Sequence, residues 1–134
     1  MSTPNPAVTW LDAPEDHDFP SATSYLSLTL ATDEVNDIVT RLQSAATVQF
    51  KVKDLLRASR LSLLDANDAH VKSDLAKIAH HESLSPVLLV RGDASQDHPL
   101  IVADGYHRVC ASYHTDENTD VACRIVPLRA PAQS

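Results

Sequence analysis

Glycine is scarce in this chain: Gly92 and Gly105 are the only two in 134 residues. A glycine here therefore marks a backbone requirement, because it alone enters left-handed conformations without a Cβ penalty. Cysteine is equally rare, with Cys110 and Cys123 alone. Two lone thiols cannot build a disulfide framework and read as small buried hydrophobes in a reducing compartment. Apolar residues make up 43% of the chain but never gather into the run of about 18 that a membrane helix needs, so no membrane association is expected. The first residues, Met1-Ser2-Thr3-Pro4-Asn5-Pro6, show neither the basic start nor the apolar stretch of a secretory signal, and the expected compartment is cytoplasmic. Basic charge is short as well: 11 Lys and Arg stand against 18 Asp and Glu, for a net charge of -7. Phosphate contacts dominate affinity for nucleic acid, and an acidic chain without a basic stripe makes few of them, which argues against autonomous DNA binding.

The length suits one domain with one core, burying roughly two thirds of the unfolded surface. Acids concentrate early: Asp12, Glu15, Asp16, Asp18, Asp33, Glu34 and Asp37 precede Gln49, against Arg41 alone. Pro4, Pro6, Pro14 and Pro20 make residues 1 to 20 read as an extended acidic arm, with Trp10, Leu11 and Phe19 packing on the domain. Thr32 with Asp33 and Glu34 starts an amphipathic helix in which Val35, Ile38, Val39 and Leu42 recur at helical spacing. A second helix is predicted from Val52 to Ser59, and a third enters from the loop at 61 to 70 with Val71, Leu75 and Ile78 on its buried side. Val87-Leu88-Leu89-Val90 and Leu100-Ile101-Val102-Ala103 read as two strands, His107 to Tyr113 as a helix, and Val121 to Val126 as a last strand. The expected division is an arm and helix over 1–49, a domain over 50–127 and a loose tail over 128–134. The expected fold class is α/β (α+β), a small mixed sheet flanked by helices.

Asp104-Gly105-Tyr106-His107-Arg108 is the one informative constellation. A glycine where a strand turns into a helix lets the first-turn N–H groups face an anion, and Arg108 adds a planar fork of donors. His107 is a general acid or base near neutral pH, and Asp104 a ligand for Mg²⁺ or an acceptor for a hydroxyl proton. The bland alternative has Asp104 capping the helix and His107 and Arg108 solvated. His107, Cys110 and His114 lie near one helical face, but three ligands strung along one helix rarely converge on one ion, so no metal site is expected from them. Arg57, Arg60, Lys72 and Lys77 are candidates for a basic rim around the phosphate site, with the acidic arm able to dock on it; the alternative is a solvated helix face.

Leu84-Ser85-Pro86-Val87-Leu88-Leu89-Val90, then Leu100 to Ala111 through Asp104-Gly105-Tyr106-His107-Arg108, then Val121 to Val126, together resemble the ParB/sulfiredoxin superfamily over about residues 50 to 127. The resemblance implies a nucleotide at the Gly105 turn, ATP or CTP with Mg²⁺. It implies binding by Gly105, Tyr106, His107 and Arg108, joined by His70, Ser73 and Lys77, which stand in register with the sulfiredoxin helix pattern Lys-x-x-Ser-x-x-x-Thr. Ser73 is identical to that pattern, while His70 and Lys77 are changed. Tyr106 occupies the place of the sulfiredoxin nucleophilic cysteine, so sulfiredoxin chemistry is not implied. The ParB segment before the helix is replaced by Ser62-Leu63-Leu64-Asp65-Ala66-Asn67 and no helix-turn-helix follows, so chromosome segregation is not implied either. Two functions are carried forward. One is a nucleotide-binding domain that transfers or hydrolyses phosphate, with Asp104 and His107 as its catalytic pair. The other is a non-catalytic interaction or regulatory module, with a protein partner or a second copy of itself.

Overall fold

Alternation along one short strand organises the molecule. In the computed structural model, which describes residues 7–130, β2 (Val87–Arg91) is buried along Val87 to Val90. Leu88 and Val90 join one apolar cluster, and Val87 and Leu89 another. Such a strand must be covered on both faces, because its side chains alternate between them. One cover is α1 (Asp18–Leu26) with α2 (Thr32–Ser44), through Ala22, Leu26, Val35, Ile38 and Leu42. The other is α3 (Val52–Ser59) with α5 (Tyr106–Thr115), through Val52, Leu55 and Val109. Behind α5 lies α4 (Ala69–Ala79), whose Val71 and Ile78 meet Cys110 and Ala111, while Leu75 is half-buried against them.

The sheet has four strands in the order β1-β4-β2-β3, with β1 at Val48–Lys51, β3 at Ile101–Asp104 and β4 at Asp120–Pro127. Its central pair, β2 and β4, is parallel, and both outer pairs are antiparallel. The class is thus mixed α/β, an open sheet flanked by helices, as the apolar pattern predicts. Among the described residues no helix is long and apolar enough to cross a membrane.

Several expectations need correction. The arm is not extended throughout: Asp18, Phe19 and Pro20 open α1, where a proline in the first turn costs no hydrogen bond. Trp10 and Phe19 pack against the core, but Leu11 remains 37% exposed. Trp10 is pinned by its indole N–H, which donates to the Asp120 carbonyl at 3.0 Å. Strand β1 straddles the boundary drawn at residue 49, and all four of its residues are exposed, so no alternation betrays it. Leu128 is not loose: it packs on the α1–α2 cluster, and Arg41 donates to the Pro127 and Leu128 carbonyls at 2.8 and 3.2 Å. Residues 131 to 134, and the prolines at 4 and 6, lie outside the described residues. Both cysteines are free and buried, and burial pushes the Cys123 thiol up to about 12.

Candidate functional site

The turn between β3 and α5 is built by an irregular strand end and a glycine. Leu88 pairs with Asp104 and Leu89 with Val102, so β3 carries one extra residue, Ala103, just before the turn. A bulge of this kind bends the strand and redirects the side chain that follows, here Asp104. Gly105 is the N-cap of α5 at φ +105°. A Cβ there would lie 2.9 Å from both Arg108 Nη2 and Val87 Cγ2. Strain at a left-handed non-glycine residue and a clash against a buried valine act together. We expect Gly105→Ala to lose about 1–3 kcal/mol, read as a lower urea midpoint, whereas an unchanged midpoint would show that the turn relaxes freely.

Asp104 does not cap the helix. Gly105 is the cap residue and offers no side chain, while Arg108 Nη2 donates to Asp104 Oδ2 at 3.0 Å, one turn along. Arg108 is not solvated either, at 17% side-chain exposure. On its other side Nη1 lies 3.7 Å from Asp18 Oδ1. Asp18, almost fully buried, is itself held by the Ser85 hydroxyl, which donates to Oδ2, and by the Glu15 N–H, which donates to the same oxygen at 3.2 Å. Arg108 Nε is buried and has no hydrogen-bond partner among the described residues. Burial raises Asp104 from 3.8 to about 6 and the nearby Asp18 carboxylate adds to the rise, while Arg108 opposes it.

Beside this cluster opens a polar cleft of about 250 Å³ between α4 and the start of α5. His70, Ser73, Asp74 and Lys77 form one wall, and Asp104, Gly105, His107 and Arg108 the other. The His70 and His107 rings lie 4.7 Å apart across it. Seven of the sequence-derived candidates thus meet in one place: His70, Ser73, Lys77, Asp104, Gly105, His107 and Arg108. Tyr106 does not line the cleft; its hydroxyl donates to the Ser62 carbonyl and its ring packs in the core. Asp74 was missed, although it sits beside Ser73 on the same helix; burial raises its carboxyl above the usual range. Asp18 and Ser85 were missed because they reach Arg108 and each other across the fold.

The predicted basic rim does not form. Arg57 pairs with Asp54 at 3.6 Å and Arg60 with Asp97 at 2.5 Å. Both line a larger groove of about 440 Å³ with Phe50, Leu55, Leu100 and Ile125. Lys72 lines neither the cleft nor this groove; only Lys77 of the four reaches the cleft. The groove is bigger, but its floor is apolar and two of its arginines are already paired. The polar cleft therefore has the better-developed chemistry. Cys110 is buried between α4 and α5, and His114 Nε2 meets the Leu64 carbonyl at 2.7 Å. Among the described residues no three His, Cys, Asp or Glu side chains gather as a metal-binding group.

Set against family models, curated proteins and solved structures, the chain matches none of them.

Proposed function

We propose that the cleft binds the phosphate groups of a nucleotide, in a domain of the ParB/sulfiredoxin-like type. The observation that carries this reading is the convergence of Ser73 and Lys77 from α4 with His107, Arg108 and an uncapped helix start from α5. Oriented N–H groups, a hydroxyl and two cations are the donors that phosphate oxygens take. At about 250 Å³ the cleft is smaller than the roughly 300–1,000 Å³ of sites that enclose whole ligands. It fits the phosphate chain of ATP or CTP and leaves base and ribose outside. Mg²⁺ held alongside phosphate needs one or two carboxylates. Asp74 and Asp104 supply them on the cleft wall, and the ion would neutralise phosphate charge there. For phosphate transfer or hydrolysis, Asp104 is suited to accept a proton, since burial places it near 6.

A second reading, a non-catalytic module that keeps the fold alone, is favoured by one observation. Arg108 is already paired with two carboxylates of the fold, Asp18 at 3.7 Å and Asp104 at 3.0 Å.

Calorimetry and thermal shift with ATP, ADP, CTP and GTP, with and without Mg²⁺, separate the two readings. Lys77→Ala is the informative variant, because Lys77 is half exposed and its ion pair with Asp74 is long, at 4.0 Å. Loss of one charge-assisted contact is worth about 1.5–3 kcal/mol, so the variant should bind its nucleotide at least about tenfold more weakly with its melting temperature unchanged. No binding by folded wild type would leave the non-catalytic module.

A further inference from the structure

The other glycine of the chain builds a different site. Gly92 follows β2, and a Cβ there would lie 2.5 Å from the His98 carbonyl oxygen, 2.6 Å from the Pro99 carbonyl carbon and 2.7 Å from the Leu100 nitrogen. With no side chain in the way, the loop after Gly92 folds straight back onto the strand end. Asp93 and His98 exchange backbone hydrogen bonds at 2.8 and 2.9 Å, and the Leu100 N–H donates to the Ala58 carbonyl of α3 at 3.0 Å. The returning chain is thereby tied to α3 and becomes one wall of the 440 Å³ groove. Phe50, Leu55, Ala58, Leu100 and Ile125 give that groove its apolar lining, and Phe50 is left 40% exposed. The groove shares no residue with the polar cleft: it opens at the Leu100 end of β3, and the cleft at the Asp104 end. Three arginines border the apolar surface. Arg57 is paired with Asp54 and Arg60 with Asp97. Arg91 has no carboxylate partner among the described residues. Asp93, close by in sequence, gives its Oδ1 to the Ser95 N–H and hydroxyl at 3.0 and 2.6 Å. Arg91 falls on the groove side of the sheet because Val87 and Leu89 pack toward α3 and α5, and every second residue of a strand shares a face. In a chain of net charge -7, the groove thus joins an apolar bed to one unspent guanidinium.

We propose that this groove binds a small apolar carboxylate, with its hydrocarbon body on Phe50, Leu55, Leu100 and Ile125 and its carboxylate taken by Arg91. The volume, about 440 Å³, lies within the roughly 300–1,000 Å³ of small-molecule sites, which pair an apolar lining with a few placed polar groups. A planar guanidinium meets a carboxylate through two parallel hydrogen bonds. One free positive charge matches one negative charge, whereas a phosphate dianion would leave a charge unmet. An extended peptide fits less well, because its backbone groups need partners when buried. The apolar side chains supply none, and the Leu100 N–H and Ala58 carbonyl are spent on each other. Binding here is by contact and charge alone, and it is independent of the phosphate reading of the cleft.

Octanoate is the probe, with octanol as the uncharged comparison of the same chain length. Each is titrated into the isotope-labelled full chain and followed by NMR, with octanoate kept below its micelle-forming concentration. Octanoate should shift the amide signals of Phe50, Leu55, Leu100 and Ile125 and bind more tightly than octanol. Arg91→Gln, at an exposed position, should keep the wild-type melting temperature. It should weaken octanoate about tenfold, the loss of one charge-assisted contact, and leave octanol unchanged. Ala58→Phe fills the groove from an exposed position on α3 and should block both compounds. Equal affinity for octanoate and octanol, or an Arg91→Gln chain that binds octanoate as wild type does, overturns the carboxylate assignment. Shifts that survive in Ala58→Phe put the ligand elsewhere and overturn the site, as does the absence of any shift with either compound. If the same amides shift when the protein alone is diluted, a second copy covers the groove, and that too overturns the proposal.

Discussion

Replacing Arg108 with alanine should lower the unfolding free energy by about 3–5 kcal/mol, the usual cost of removing one partner from a buried ion pair. Arg108 is 17% exposed, and the two carboxylates it holds, Asp18 and Asp104, are 2% and 17% exposed. Without the guanidinium these like charges stay buried together, joined through α1 to β3. The fold then either takes up a proton or releases the start of α1 to water. Arg108→Lys should recover only part of the loss, because a compact ammonium cannot bridge two carboxylates as a planar fork does. Urea titration at neutral pH measures both variants. A loss under about 1 kcal/mol for alanine, the level of an exposed pair, would show that solvent reaches the cluster freely.

Stability should fall as pH rises from about 4 to about 6. Asp104 titrates near 6 in the fold against 3.8 when unperturbed. Between those values the folded chain keeps a proton that the unfolded chain has given up. The native state binds more protons there, so the unfolding free energy decreases with pH and levels off above 6. At about 1.4 kcal/mol per pK unit, the span is on the order of 3 kcal/mol. Asp74, raised by burial, acts in the same direction. Asp68 and Asp93 have lowered values and act oppositely, their support being lost as pH drops below the ordinary carboxylate range. Asp104→Asn should remove most of the slope, and urea midpoints at pH 4, 5, 6 and 7 test it. A wild-type profile that climbs steadily from pH 4 to 6 would show instead that Arg108 keeps Asp104 ionised.

Periodicity made most elements legible before any coordinates. The amphipathic spacing of Val35, Ile38 and Leu42 and the unbroken run Val87 to Val90 each have one physical solution, a one-sided helix and a strand covered on both faces. Helix α1 was not legible: its serines, threonine and Pro20 lack a strong helical signal, and it is Ala22 and Leu26 packing under α2 that stabilise it. Strand β1 was not legible either, since its four exposed residues owe their conformation to pairing with β4. At the site, a rare glycine between a strand and a helix sufficed to single out Asp104 to Arg108, because the backbone requirement is local.

What Arg108 does with its charge is not local. Asp18 reaches it from 90 positions earlier in the chain and Ser85 steadies that carboxylate from 67 positions beyond it. The sequence by itself determined the two-faced strand, the one-sided helices and the glycine turn, because each follows from neighbours a few residues apart. The tertiary structure alone decided that Asp74 joins the cleft, that Tyr106 turns away, and that a buried acid from the N-terminal region pairs with Arg108. Electrostatics acts through space, and distance along the chain does not report which charges share a buried site.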